Sequence, residues 1–399
     1  MKETMKRRVF IVSAARTGTG GFLGSLSSLS AVQLGAEVMK DAIRKSGIPA
    51  TDVNEVIFGN VLSANLGQSP ARQAARAAGI PDAADATTVN KVCSSGLKSV
   101  MYGAQSIAMG DAEVVMAGGM ESMSNAPYYL EDHRSGLKTG NQNLVDGMLK
   151  DGLWDPYHNF HMGNAAEMAN RKYSVSRVEQ DEYALNSYRK ARQAQENGFF
   201  KEEITPLELP GKQGSTIYDL DEDVLKLNEE KMTKLKPIFE AEGSITAANA
   251  SNLNDGAAAL LLASEEYVQA HGLQPLAAIT AFADAAQAPE WFSTSPSLAI
   301  AKTLQKAGLS MADIDFFEIN EAYANVPLIN ARLSGIDAAR LNVNGGAVSI
   351  GHPLGASGAR ILVSLAHILK NCNGRYGMAA ICNGGGGASA LLIENLQRS

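Results

Sequence analysis

Three side chains in this 399-residue sequence could together carry nucleophilic and proton-transfer chemistry: Cys93, His352 and Cys382. Each lies where a strand or helix is predicted to begin or end. Cys93 falls in Thr88-Val-Asn-Lys-Val-Cys-Ser-Ser-Gly-Leu-Lys-Ser99. There a predicted buried strand turns into a helix with apolar positions at Leu97, Val100, Met101, Ala104, Ile107 and Ala108. Unpaired N–H groups and the positive dipole end at a helix start favour thiolate over thiol, whereas an ordinary cysteine titrates near ~8.5. The same stretch is equally compatible with a small buried hydrophobe. A thiol nucleophile needs a base, and neutral histidine titrates in the right range. His352, in Gly351-His-Pro-Leu-Gly355 before a second predicted helix, is the candidate among six histidines, although an isolated histidine is more often structural. Cys382, in Cys382-Asn-Gly-Gly-Gly-Gly387, ends the last predicted strand in a turn where backbone can approach a ligand. Asn320-Glu-Ala-Tyr323 follows a predicted strand over 315–319, at the end of the strand where open α/β sheets bind ligands. Cys372, in a polar turn, receives no role.

The elements that must position these groups alternate. A strand over 8–15 precedes an amphipathic helix over 31–45 closed by Gly47; a strand over 52–58 precedes a helix over 68–78 stopped by Gly79 and Pro81. A short apolar strand over 113–119 ends in glycines, and the pattern predicts a layered α/β fold with a mostly parallel sheet. The plan then repeats. Lys45, Gly47 and Asp52 recur as Lys306, Gly308 and Asp313 at a constant separation of 261. Ser95-Gly96 recurs as Ser357-Gly358 at 262, opening a helix with apolar Ile361, Leu362, Leu365 and Leu369. Two homologous halves are the economical reading, with equivalent helix starts facing each other around one site. The expected organisation is a first half over 1–121 and 244–274, an inserted polar segment over 122–243 that covers something and contains a helix over 178–197, and a second half over 275–399.

Composition narrows the function classes. With 45% hydrophobic and 19% charged residues, the chain can bury more than one core and is not disordered. A net charge of −7 opposes a general nucleic-acid binder. No apolar run approaches the ~18 residues of a membrane span. The basic start over 1–8 leads into Val9-Phe-Ile-Val12, too short for a signal-peptide core. Three cysteines without a Cys-x-x-Cys pair argue against a zinc ribbon or disulfide scaffold and point to a reducing, cytoplasmic compartment.

Seven motifs in order across nearly the whole chain resemble those of the thiolases: Val92-Cys-Ser-Ser-Gly-Leu-Lys98, Ala117-Gly-Gly-Met-Glu-Ser122, Asn249-Ala-Ser-Asn-Leu-Asn-Asp-Gly-Ala257, Asn320-Glu-Ala-Tyr323, Asn344-Gly-Gly-Ala347, Gly351-His-Pro-Leu-Gly355 and Cys382-Asn-Gly-Gly-Gly-Gly387. The resemblance implies a duplicated five-layered α/β/α/β/α fold with an inserted loop domain, assembled as a homotetramer, a dimer of dimers. It implies acetyl-CoA C-acetyltransferase chemistry on acetyl-CoA, acetoacetyl-CoA and CoA, with no tightly bound cofactor. By motif, Cys93 would accept the acetyl group, and His352 would activate that thiol and bond the thioester oxygen. Cys382 would move the C2 proton. Asn320 would hold a water that forms one oxyanion hole with His352, and the N–H groups of Cys93 and Gly384 would form the other. Phe160-His-Met-Gly163 resembles the biosynthetic, acetoacetyl-CoA-type members, so His161 and Met162 would lie over a short acyl group. Phe292 and Tyr323 would wall the same pocket, and Ser251 would touch the pantetheine arm. A broader 3-ketoacyl-CoA thiolase of fatty-acid breakdown and a non-catalytic acyl-CoA or lipid carrier are the alternatives. Where bacterial biosynthetic members carry an arginine near the adenine, this chain has Val224, with Lys226 as the nearby substrate contact. Tyr188, Ala247, Ala248, Ala250 and Val348 resemble the potassium-binding positions of the mitochondrial type, which would make K⁺ a ligand.

Overall fold

Strands buried on both faces sort their side chains alternately into two packing layers. The computed structural model, which describes residues 7–136, 138–211 and 214–398, shows this sorting throughout; the basic start over 1–6 lies outside the described residues. Along Val9–Thr17, Phe10 and Val12 enter one apolar cluster, while Val9 and Ile11 enter another. Ala259 and Leu261 of Asn254–Ser264 join the first, and Leu260 and Leu262 the second. Helices Ala31–Ser46 and Pro70–Ala77 cover the first cluster. The second contains the helices Ser95–Met109 and Leu354–Asn371. On the far side, Met378, Ala380 and Cys382 of Tyr376–Asn383 face a third cluster under helix Ser295–Ala307, while Ala379 and Ile381 turn back to the two central helices. The order is helix, sheet, central helix pair, sheet, helix: five layers.

The strand order is Phe316–Ile319, Tyr376–Asn383, Gly387–Asn395, Ala277–Ala286, Val9–Thr17, Asn254–Ser264, Val114–Ser122, Glu55–Gly59, Asp85–Val89. Antiparallel pairing of Val9–Ile11 with Ala277–Ile279 joins the two half-sheets edge to edge. The expected mostly parallel sheet is corrected to a mixed one. Parallel pairs lie at the two ends and at the short strand Ile204–Thr205, whereas Asn254–Ser264 returns antiparallel between its neighbours.

Three local expectations also change. Asp85–Val89 is a partly exposed edge strand, not a buried one. The strand expected from residue 52 starts at Glu55, after a 3₁₀ turn. Val114–Ser122 runs through Gly118 and Gly119 instead of ending there. A Cβ on Gly118 would lie 2.1 Å from the Ala258 carbonyl oxygen and one on Gly119 2.0 Å from that of Gly355, so these glycines permit close approach, not a turn.

The segment between the halves does more than cover. Its helix Arg177–Glu196 opens on a capping box between Ser176 and Glu179, and Ile204–Thr205 adds to the main sheet. Arg16, with no exposed surface, donates to Glu203 Oε1 at 2.6 Å and to the two Asp221 oxygens at 2.7 and 2.9 Å. Burial opposes its charge, but Asp221 and Glu203 outweigh that and hold the guanidinium above its ordinary pKa. Arg16→Ala would leave two buried carboxylates unpaired, and the expected loss is about 3–5 kcal/mol. Urea unfolding measures it; an unchanged midpoint would remove this contact from the account of how the segment is anchored.

Candidate active site

The chain leaves Asp85–Val89 and enters Ser95–Met109 through a tight connection in which Val92 takes φ 47. That left-handed conformation is costly for a β-branched residue. Hydrogen bonds hold it: Val92 N donates to Asn90 Oδ1 at 3.0 Å, Lys91 N to Ser95 Oγ at 2.8 Å, and Ser95 Oγ to Val92 O at 2.6 Å. Ser94 Oγ adds a bond to Asn383 Oδ1 at 2.9 Å, tying the turn to the strand that carries Cys382. Cys93 is thereby presented to a cavity of about 230 Å³ shared with His161, Met162, Phe292, Tyr323, His352 and Gly384.

Burial governs the ionisation of this site. It pushes the Cys93 thiol up to about 12, although the N–H groups of Gly384 and of Cys93 itself point at the sulfur and favour the thiolate. The helix start favours the thiolate, as expected, but does not ionise Cys93 by itself: desolvation outweighs those donors. Cys382, without exposed surface, is also pushed up, by burial and then by neighbouring Cys93. His352 is pushed down to about 3 by burial and by the charge of Arg360, so its ring is neutral and able to accept a proton. His161 is pushed down to about 4 by burial. Its Nδ1 accepts from Gly163 N at 3.0 Å and its ring stacks on Phe239 with centroids 4.6 Å apart. The neutral ring then carries its proton on Nε2.

Ser251 joins the residues around the Cys93 cavity, so eight of the eleven expected catalytic and substrate-contacting side chains meet there. Cys382 and Asn320 stand behind the wall, 0% and 1% exposed. Lys226 lies outside the Cys93 cavity. Its Nζ lies 2.9 Å from both Glu222 Oε1 and Asp223 Oδ1, on an adjoining cavity of about 460 Å³ that shares Asn252 and Leu253 with the first. Val224 is fully buried in an apolar cluster with Ala191, Ala194, Phe200, Ile204 and Ile350. The five positions that resemble potassium ligands divide: Tyr188, Ala247 and Ala248 line the larger cavity, Val348 packs with Tyr188 and Ala248, and Ala250 lines the smaller one.

Two residues without a role in the sequence reading stand close to these groups. Ser357 Oγ lies 2.6 Å from His352 Nδ1. Glu121, without exposed surface, accepts from the N–H groups of Val61 and Leu62 at 3.1 Å, from Gly355 N at 2.8 Å and from Asn60 Nδ2 at 2.8 Å. It therefore ties the loop after Glu55–Gly59 to the loop that carries His352. An acidic residue inside an otherwise apolar strand was the signal for it.

The chain resembles known proteins over nearly its whole length. The family model for the thiolase N-terminal domain matches residues 9–266, and that for the thiolase C-terminal domain matches 273–395. Acetyl-CoA acetyltransferase 2 of Arabidopsis thaliana is 55% identical over 393 residues, covering 98% of each chain. A cytosolic acetyl-CoA acetyltransferase of Gibberella zeae is 50% identical over 391 residues, again covering 98% of each. The crystal structure of Acat5 thiolase from Ascaris suum in complex with coenzyme A superposes with a TM-score of 0.94 at 45% identity, covering 98% of this chain and all of that one.

Glu121 supplies a pH test. Burial pushes its carboxyl up to about 7 against the donors that surround it. Because the folded chain then holds this proton more tightly than the unfolded one, the contribution to stability is full below the unfolded pKa near ~4.3 and falls as pH rises through the folded value. Glu121→Gln should flatten that part of the stability–pH curve, measured as urea midpoints between pH 5 and 7. An identical slope in the variant would assign the dependence elsewhere.

Proposed function

The chain belongs to the thiolase family, and from that premise we propose how its own side chains divide the acetyl-CoA C-acetyltransferase reaction between them. The protein is an acyltransferase that exchanges two acetyl-CoA with acetoacetyl-CoA and CoA. The observation that carries the assignment of roles is the meeting of Cys93, His352 and Gly384 in one small cavity, with Cys382 pressed against it from behind.

Proton balance orders the steps. His352 Nε2 takes the proton of Cys93 as the sulfur attacks the acetyl carbonyl. The carbon–sulfur bond to CoA breaks, and CoA leaves as a thiol with a proton from Cys382. A second acetyl-CoA enters, and the Cys382 thiolate removes its C2 proton. The resulting enolate attacks acetyl-Cys93 and forms the new carbon–carbon bond; the expelled Cys93 thiolate recovers the proton held on His352. Each thiol ends as it began. Oxyanion charge in the first half falls to the N–H groups of Cys93 and Gly384, and enolate charge to His352 and a water on Asn320. One such donor is typically worth roughly 10²–10³ in rate. A covalent intermediate makes the kinetics ping-pong.

The substrate's shape suits the two cavities. His161, Met162, Phe292 and Tyr323 close the smaller one around a short acyl group, Ser251 meets the pantetheine arm, and the nucleotide end of CoA lies toward the larger one. Lys226 lines that larger cavity while paired with Glu222 and Asp223. We place K⁺ beside Tyr188, Ala247, Ala248 and Val348, at the larger cavity that Lys226 and Lys231 also line. A homotetramer would cover the edge strand Asp85–Val89 and the exposed Tyr128, Leu144 and Tyr157. The cytosolic relative and three free cysteines support a cytoplasmic location, and no helix among the described residues is long and apolar enough to cross a membrane.

Brief incubation with acetyl-CoA, followed by peptide mass analysis, should place an acetyl group on Cys93; a folded protein with Cys93 unlabelled defeats the mechanism. Cys382→Ala should still acquire that group yet fail to condense, and normal turnover would mean another group moves the C2 proton. For the cation, K⁺ in place of Na⁺ should raise the rate or the melting temperature. If neither moves, the site is not a potassium site.

A further inference from the structure

Ser95 and Ser357 occupy equivalent places in the duplicated sequence, 262 residues apart, each in the first turn of a central helix. Ser95 braces backbone, donating to Val92 O and accepting from Lys91 N beneath the Cys93 turn. Ser357 has taken a different partner. Its Oγ lies 2.6 Å from His352 Nδ1 and donates to Pro353 O at 2.9 Å. A hydroxyl has one proton to give. Where that proton goes to the Pro353 carbonyl, only lone pairs face the imidazole, and Nδ1 then carries the single proton of the neutral ring. The remaining nitrogen, Nε2, is buried without a hydrogen bond, on a side chain that lines the Cys93 cavity. Asn320 Nδ2, at 3.5 Å from Nδ1, is at the limit of hydrogen-bond range and is itself a donor. The His352 backbone is fixed independently, its N–H donating to Asn254 Oδ1 at 2.9 Å.

We propose that Ser357 is a positioning residue for the base: its hydroxyl accepts the Nδ1 proton of His352 and so keeps Nε2 unprotonated and directed at Cys93. The opposite tautomer would offer the thiol a proton and accept none. The surroundings keep the ring neutral. The charge that acts on it comes from Arg360, three residues beyond Ser357 on the same helix, and the Arg360 guanidinium is buried with no hydrogen-bond partner of its own. The serine works in both halves of the duplicated fold, once on a peptide and once on an imidazole. That divergence at a shared position turns a repeated helix start into a nucleophile on one side and a base on the other.

The inference rests on His352 serving as the base for Cys93, and the test separates the two. Protein with ¹⁵N-labelled histidine rings, with His352 assigned by comparison with His352→Asn, should show a protonated Nδ1 and an unprotonated Nε2 at pH 7. The reverse tautomer overturns the proposal, and this measurement needs no change at Ser357. Ser357→Ala should mix the tautomers and lower kcat by about tenfold or more, while KM for acetyl-CoA changes by less than about twofold. Ser357→Thr, which keeps the hydroxyl, should restore most of the rate. A Ser357→Ala enzyme with unchanged kcat, or a loss that threonine does not restore, counts against the proposal. If the base reading itself were at fault, His352→Asn would retain its kcat whatever tautomer the wild-type ring adopts.

Discussion

Backbone-to-backbone contact between the two central helices is the constraint on which the site depends. A Cβ on Gly96 would lie 2.8 Å from Ala359 N, and one on Gly358 would lie 2.5 Å from Leu97 N. Neither position has room for a side chain, because the opposing atoms are main chain and cannot step aside. Cys93 lies three residues before the first glycine and His352 six before the second. The separation of the helix axes at these two points therefore sets how closely thiol and imidazole can meet, and a methyl group at either would part them before it touched any reacting atom.

The closeness has an electrostatic consequence. Two helix starts brought together inside five layers are removed from water, and desolvation then opposes every charge the chemistry needs. It raises both thiols and lowers both histidines of the cavity, and at Cys93 it outweighs two backbone donors. The resting site is consequently a neutral one. Charge develops only when a thioester supplies a carbonyl for the oxyanion donors to hold, which is where preorganised dipoles exceed what water offers. Packing and catalysis thus draw on the same feature: the burial that stabilises the central helices keeps the nucleophile protonated until substrate arrives.

Much of this was legible in the sequence, because the duplication repeats its signals. The Ser-Gly pairs at 95–96 and 357–358 marked the first turns of both central helices, although the second opens earlier, at Leu354, and the glycine in each pair makes the close contact between them. Cys93, His352 and Cys382 could be found because each sits at an element end with its own local pattern. What escaped were residues whose meaning lies in partners far along the chain. Glu121 acquires its role from Val61, Leu62 and Gly355, and Arg16 from Glu203 and Asp221. The pairing of Lys226 escaped for the same reason, since Glu222 and Asp223, which hold its ammonium, are recognised as its partners only in the fold. The direction of the sheet escaped too, since a long excursion such as residues 122–253 returns a strand in either sense with the same hydrophobic pattern.

The excursion also explains why the acyl pocket can be narrow without isolating the chemistry from its walls. His161 and Met162 open the helix Met162–Tyr173, and that helix is pinned to the second half through Asn325, whose Nδ2 donates to Ala166 O at 3.0 Å and to Asn170 Oδ1 at 2.7 Å. The next helix reaches Glu321, where Tyr183 Oη and Ser187 Oγ each donate at 2.8 Å beside Asn320. Glu321 accepts two further bonds, from Asn342 Nδ2 and Val348 N, and has no exposed surface. A fully satisfied buried carboxylate of this kind holds its donors in one arrangement. The wall proposed to limit acyl length and the asparagine proposed to hold the catalytic water are therefore parts of one hydrogen-bonded body. Substitutions that widen the pocket by moving this helix must also move Asn320, whereas those that shorten Met162 or Phe292 in place need not. Chain-length preference in this fold should accordingly change through cavity-lining side chains before it changes through the elements that carry them.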